Sequence, residues 1–318
     1  MNASGTQRAL KVAVLAGGAT HEHDISIKSA HHLASGLRER GHDVTVLELG
    51  QHLIENLKNA SPDAIWPMVH GGVGEDGALQ TLLDMLGTPY VGSGPLGAHT
   101  ASYKPAAKAV AQKSGVSTPA WVTLPRALFS QIGASDLVGV ICRSLTFPLV
   151  VKPSGGGSSL GVTRVTSDDE LRVALIEAFS YADTALIEQF VAGREVAVSL
   201  ADTGEGLRAL PLVEIEMASG DYDYAARYQP GRSVFYVPAR LSEAETQALS
   251  DAALTAAKAM GLRHICRIDM ILDDAGTPWL IDANVVPGMT DMSLFPQAAE
   301  ACGSVPALLD EILRSTLT

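Results

Sequence analysis

Cysteine is scarce in this chain. Cys142, Cys266 and Cys302 are the three among 318 residues. They lie far apart, are odd in number and show no C-x-x-C spacing, which argues against a disulfide framework or a cysteine-built metal site. No stretch approaches the roughly 18 consecutive apolar residues of a membrane-spanning helix. The opening residues, Met1 to Lys11, lack the apolar core of a signal peptide. Basic residues are outnumbered, Lys+Arg 23 against Asp+Glu 35, for a net charge of −12. That balance disfavours a nucleic-acid binder and leaves room only for local basic sites that hold one small anion. The P-loop pattern G-x-x-x-x-G-K-[ST] is missing. The expectation is a soluble protein of a reducing cytoplasm, with neither membrane nor nucleic-acid partner.

What is present is core material. Hydrophobic residues make up 47% and charged residues 18%. At about 100–200 residues per domain, the length suggests two or three domains. Apolar runs at Lys11–Leu15, Asp43–Leu49 and Ala64–Val69 alternate with helix-like stretches at Ser26–Arg40 and Glu75–Leu86. This is the signature of a parallel sheet with crossover helices, in which ligands gather beyond the carboxyl ends of the strands. Gly17-Gly18 and Gly71-Gly72 fall at such ends. A short strand over Thr88–Val91 then leads into Gly92-Ser93-Gly94-Pro95, which marks a boundary. Further on, a helix is expected from Lys104 to Ser114 and another over Ser167–Phe179, capped by Ser167. Strands are expected at Phe147–Lys152, Leu160–Val165, Ala185–Phe190, Glu195–Leu200, Leu210–Ile215, Arg267–Leu272 and Pro278–Ala283. Helices follow at Ser242–Met260 and from about Val305.

Four constellations carry chemistry. Ser154-Gly155-Gly156-Gly157-Ser158-Ser159 joins two strands. Its glycines let main-chain N–H groups converge, and Lys152 stands just before it, so it is either a phosphate cradle or a loose hairpin tip. Asp269, Asp282 and Asn284 lie on two strands that read as a hairpin. If Ala275-Gly276 is a two-residue turn, Asp269 faces Asp282, and Asn284 shares the face of Asp282. Two carboxylates and an amide oxygen suit Mg²⁺, and the plain alternative is a solvated acid pair. Arg267 points to the same face, either as a cation beside that cluster or as a salt-bridge partner of Asp269. Pro287 to Leu294 runs into a helix start whose N–H groups and Ser293 hydroxyl could hold a carboxylate, or it is an ordinary turn. The histidines at 21, 23, 31 and 32 lack acidic or Cys partners at ligand spacing and read as solvated.

Six segments then stand in order: Gly17-Gly18-Ala19-Thr20-His21-Glu22-His23-Asp24-Ile25-Ser26, His70-Gly71-Gly72-Val73-Gly74-Glu75-Asp76-Gly77, Tyr90-Val91-Gly92-Ser93-Gly94, Lys152 through Gly161, Arg267-Ile268-Asp269 and Pro287-Gly288-Met289-Thr290. Over about residues 11 to 312 this set resembles the D-alanine–D-alanine ligases of the ATP-grasp superfamily. The resemblance implies an α/β, three-domain ATP-grasp fold. An N-terminal parallel α/β domain (1–94) would be followed by a central domain with a glycine-rich lid loop (95–187) and a C-terminal domain (188–318), the last two α+β and clasping ATP. It implies ATP-dependent joining of two D-alanine molecules through an acylphosphate, for peptidoglycan precursors, by a cytoplasmic homodimer using two Mg²⁺ or Mn²⁺ ions.

By position, Glu22 would hold the first D-alanine's ammonium and His70 would lie near its carboxylate. Lys104, Lys152 and Arg227 would contact phosphates. Glu188, Gln189 and Val191 would form the adenine strand and Glu195 would take the ribose hydroxyls. Ser158, Tyr228 and Glu22 would close the site, Arg267 and Gly288 would form the oxyanion hole, and Ser293 and Leu294 would receive the second carboxylate. Asp269, Asp282 and Asn284 would bind metal. Three positions depart from the family pattern. Asp282 stands where Glu is usual, one methylene shorter, Val285-Val286 replace smaller or hydroxylated residues, and Tyr103 stands where Asp is usual. These departures motivate an alternative, a related ligase or cyclase acting on a different amino acid.

Overall fold

The computed structural model describes residues 8–217 and 233–317. Arg227 and Tyr228, expected at the phosphates and at site closure, lie outside the described residues. The first sheet holds β1 (Lys11–Ala16), β2 (Asp43–Glu48) and β3 (Ala64–Pro67) in the parallel order β2-β1-β3. The middle strand, KVAVLA, is buried from Val12 to Ala16, as expected of a strand covered on both faces. Helix His23–Glu39 turns Ala30, Leu33, Ala34 and Leu37 inward and starts three residues before the expected Ser26. The expected strand at Thr88–Val91 is only one bridge, Tyr90 beside Ile65. Pro89 has no N–H to donate, and Gly92 turns the chain away with φ +109. The helix expected from Glu75 begins at Ala78, after a 3₁₀ turn over Gly72–Gly74.

The second sheet is antiparallel, β4-β7-β5-β6, from β4 (Trp121–Pro125), β5 (Leu149–Pro153), β6 (Thr163–Val165) and β7 (Thr184–Gln189). Helices Ala134–Ser144 and Asp168–Ala178 cover one face. Val138, Ile141, Leu171 and Leu175 pack there on Leu149, Val151 and Ile187 in a separate core. Ser167 caps the second helix by accepting from the Glu170 N–H, as its sequence indicates.

The third sheet runs β11-β10-β8-β12-β13, with β9 pairing β8. Its strands are β8 (Arg194–Asp202), β9 (Leu207–Ala209), β10 (Val213–Met217), β11 (Ser233–Tyr236), β12 (Ile265–Leu272) and β13 (Pro278–Asn284). Helix Glu243–Ala259 packs on it behind a reciprocal Ser242–Glu245 capping box. The first and third sheets share one core. Val12, Val14 and Leu37 belong to it together with Val198, Ile268 and Leu313. Helices Pro95–Ser102 and Lys104–Lys113 contribute Ala98, Ala101, Ala107 and Ala111 to the same core. No helix among the described residues is long and apolar enough to cross a membrane.

Candidate active site

Two cavities meet at the glycine loop. The larger, about 1200 Å³ with its open mouth, lies between the second and third sheets. It is lined by Lys104, Lys152, Ser158, Glu188, Gln189, Val191, Glu195, Asp269 and Asp282. The smaller, about 610 Å³, lies toward the first sheet. Glu22, His70, Ser158, Arg267, Asn284, Gly288, Ser293 and Leu294 line it. Gly157 and Ser158 border both. The residues expected at a nucleotide and those expected at a pair of small substrates thus fall on two sides of one loop.

The loop is held in an uncommon conformation. Ser158 and Ser159 both have φ +56, the left-handed region that side chains rarely adopt. Ser158 Oγ donates to the Glu22 carboxylate across 136 residues of sequence. Gly157 stands so close that a Cβ there would sit 3.2 Å from Glu22 Oε1. Glu22 itself is at the N-terminus of helix His23–Glu39, where the helix dipole favours a negative group. Burial pushes its carboxyl above the usual 4.5 and Glu75 adds to this, while the Ser158 hydrogen bond, His70 and Lys104 oppose it. His70 is buried, with Nε2 at 3.2 Å from Ser29 Oγ and Nδ1 at 3.7 Å from Glu75.

The β12–β13 hairpin places its residues by two offsetting irregularities. The turn is not the expected two-residue Ala275-Gly276. The Asp273 N–H reaches the Thr277 carbonyl and Leu272 pairs with Pro278, so the loop is one residue longer. A bulge between the 269–282 and 270–280 pairs then absorbs Ile281 and restores Asp269 opposite Asp282 and Arg267 opposite Asn284. Without it Asp269 would face Ile281. Along each strand the step of two residues carries the chain from one cavity to the other, so Asp269 and Asp282 line the larger and Arg267 and Asn284 the smaller.

Asp269 and Asp282 each have a cation. Arg267 grips Asp269 with Nε and a terminal nitrogen at 2.6 and 2.9 Å, and is buried. Lys104 Nζ is 2.8 and 3.0 Å from the two oxygens of Asp282 and also donates to the Gly156 carbonyl. Asn284 Oδ1 accepts from the Val286 N–H at 3.1 Å. Among the described residues no group of three or more His, Cys, Asp or Glu side chains forms a metal cage. The donors are two carboxylates and one amide oxygen, hard ligands of the kind Mg²⁺ takes when phosphate and water supply the rest.

Lys152 is buried on the floor of the larger cavity, with Nζ 2.5 Å from Glu188 Oε1 and 3.2 Å from the carbonyl of the bulged Ile281. Gln189 turns its side-chain amide to the Thr146 and Pro148 carbonyls. On the other side Ser293 Oγ accepts from the Thr290 N–H at 3.1 Å, and a Cβ on Gly288 would press on that hydroxyl at 2.8 Å. Three of the four clustered histidines have other partners. His21 stands edge-on to Tyr181, His23 is beside Asp24 and His32 beside Asp291.

Sequence reasoning passed over several contributors. Glu75 lay inside a motif but had no role assigned. Ser29 holds both His70 and the Met289 N–H. Arg164 lies 4.0 Å over the Phe190 ring at the wall of the larger cavity. Lys108, one helical turn after Lys104, is buried and paired with Glu188. The i, i+4 lysine spacing was the one readable signal for it.

Comparison with known proteins matches two family models, "D-ala D-ala ligase C-terminus" over residues 110–314 and "D-ala D-ala ligase N-terminus" over residues 50–93. A D-alanine–D-alanine ligase of Pelotomaculum thermopropionicum is 36% identical over 305 residues, covering 96% of each chain. The D-alanine–D-alanine ligase of Bacillus anthracis, solved with ATP, superposes with a TM-score of 0.81 at 30% identity, over 98% of both chains. The VanG D-Ala:D-Ser ligase of Enterococcus faecalis gives a TM-score of 0.82 at 26% identity, over 97% of this chain and 100% of that one.

Proposed function

Because this chain belongs to the D-alanine–D-alanine ligase family of ATP-grasp enzymes, we propose that its two cavities divide the work of ATP-dependent D-alanyl-D-alanine synthesis, the larger holding nucleotide and the smaller the two amino acids. The names of the relatives favour D-alanine in both positions over a different amino-acid pair. The dipeptide serves peptidoglycan synthesis, and the reading includes a cytoplasmic homodimer. The observation that carries the division is the loop at Gly157 and Ser158, which borders both cavities while Ser158 holds Glu22.

A carboxylate is a poor electrophile until one oxygen becomes a leaving group. ATP supplies that by phosphorylating the first D-alanine, and the amine of the second attacks the acylphosphate. In this chain Glu22 holds the first ammonium, with His70 near the carboxylate. Lys104 and Lys152 balance phosphate charge, and Glu188 to Val191 with Glu195 receive the nucleoside. Arg267 and the Gly288 N–H stabilise the oxygen that gains charge during attack, and Ser293 and the Leu294 N–H hold the second carboxylate at a helix start. Asp269, Asp282 and Asn284 would hold Mg²⁺, which when bound neutralises phosphate charge. By the family resemblance Arg227 would contact phosphate and Tyr228 would help to close the site.

Incubation with ATP, Mg²⁺ and D-alanine should release phosphate and D-alanyl-D-alanine in equal amounts by mass spectrometry. With D-serine offered alongside, the dipeptide should remain the main product. Mixed D-Ala–D-Ser as the main product would reassign the second site, and no phosphate release with any amino acid would refute the reading.

A further inference from the structure

Lys152, Glu188 and Lys108 form a stack of three buried charged side chains. Glu188 has one oxygen 2.5 Å from Lys152 Nζ and the other 2.7 Å from Lys108 Nζ. The Lys108 side chain is 1% exposed. It is held by Thr118 Oγ1 at 2.6 Å, and the Trp121 ring lies 5.2 Å away. Thr118 in turn donates to the Leu280 carbonyl of β13.

Burying an ammonium costs free energy even when it is paired, where an apolar side chain of similar volume would not. Here the count of charges supplies the reason. Lys152 and Glu188 alone would cancel, and a neutral pair on the cavity floor offers little to a polyanion. With Lys108 on the far oxygen, two cations share one carboxylate and the cluster keeps one net positive charge. Lys152 is the cation of the cluster that lines the cavity, beside Glu188, whereas Lys108 does not line it. Burial alone would raise the Glu188 carboxyl, but Lys152 and Lys108 outweigh it and hold it below the usual carboxylate range.

We propose that Lys108 is a positioning residue for nucleotide phosphate: by engaging the second oxygen of Glu188 it leaves Lys152 with an uncancelled positive charge facing the larger cavity. The inference rests on the reading of that cavity as the nucleotide site. Its consequence is selective. Loss of Lys108 should weaken ligands in proportion to their phosphate charge and leave the uncharged nucleoside almost unaffected. A packing role would weaken both alike.

The test is calorimetric binding of ATP and of adenosine at pH 7 to the full chain, to Lys108→Met and to Lys108→Met/Glu188→Gln. Lys108→Met should lose about tenfold or more in ATP affinity, the scale of one added charge interaction at moderate dielectric, with adenosine changed less than about twofold. The double variant, with one cation and no acid, restores the net charge; because Glu188 also stands at the nucleoside, the readout is the ATP-to-adenosine affinity ratio, which should return to that of the unsubstituted chain. Equal losses for the two ligands, or a double variant whose ATP-to-adenosine affinity ratio stays as low as the single variant's, would overturn the proposal. If Lys108→Met does not fold, the double variant decides: its ATP-to-adenosine affinity ratio should match the unsubstituted chain, and a tenfold fall in that ratio refutes the charge count. Failure of the unsubstituted chain to bind ATP would refute the nucleotide reading instead.

Discussion

Glu22 concentrates the residue-scale chemistry of the site. Its carboxyl sits above the usual 4.5 because it is buried and faces Glu75. Holding an ammonium requires the ionised form. As pH falls through the raised value the carboxyl is protonated, and kcat/KM for the first D-alanine should drop along an acid limb lying above the ordinary glutamate range. The Ser158 hydrogen bond favours the charged form, so Ser158→Ala should move that limb to higher pH. A limb that stays put or moves down in the pH profile contradicts the assignment. Glu22→Gln should remove the limb and lower kcat/KM roughly ten- to a hundredfold, as expected for losing a hydrogen bond to a charged group, with ATP binding preserved.

At the scale of elements, the glycine loop and the β12–β13 hairpin set the geometry. A methyl on Gly157 would stand 3.2 Å from Glu22 Oε1. The side-chain end can yield by a few tenths of an ångström, so the fold should tolerate Gly157→Ala while substrate alignment suffers. The expected result is a fall of up to about tenfold in kcat/KM for D-alanine with the melting temperature nearly unchanged. A large loss of melting temperature would show that the loop is a packing element instead. In the hairpin, Asp282 is tied to Lys104. Asp282→Ala strips the lysine of its counter-ion and the larger cavity of a carboxylate, so activity should drop about tenfold or more. Activity at the unsubstituted level across a Mg²⁺ titration would argue against a metal role for this acid.

At the scale of the molecule, the first and third sheets behave as one packed body through a shared core, while the second sheet has its own. Helix Pro95–Ser102 is wedged into that body. A Cβ on Gly97 would stand 2.7 Å from the Gly261 carbonyl oxygen and 3.2 Å from that of Met260, backbone atoms with no flexible side chain to yield. Gly97→Ala should destabilise by about 1–3 kcal/mol through overpacking, visible by scanning calorimetry as a melting temperature lower by several degrees. An unchanged melting temperature would mean that the helix can slide. Arg263 and His264 add polar ties across the same junction, with Arg263 Nε donating to the Gly92 carbonyl and the Gly92 N–H donating to His264 Nδ1.

The order of motifs was enough to identify the family, and local rules placed much of the rest. Alternating strands and helices announced the parallel sheet, Ser167 announced a cap, and acids inside apolar strands announced Asp269 and Asp282. These are short-range signals, carried by neighbours in the chain. The strand expected at Thr88–Val91 failed because Pro89 and Gly92 limit pairing, a local clue outweighed by the apolar run. Other features depend on residues distant in sequence, and only the tertiary structure decided them. The bond between Ser158 and Glu22 spans two sheets. The turn and the bulge at Ile281 offset each other, a balance that periodicity does not encode. Lys108 reads as an ordinary helical lysine until β7 places Glu188 against it, because the energy of a buried charge is set by what folds around it.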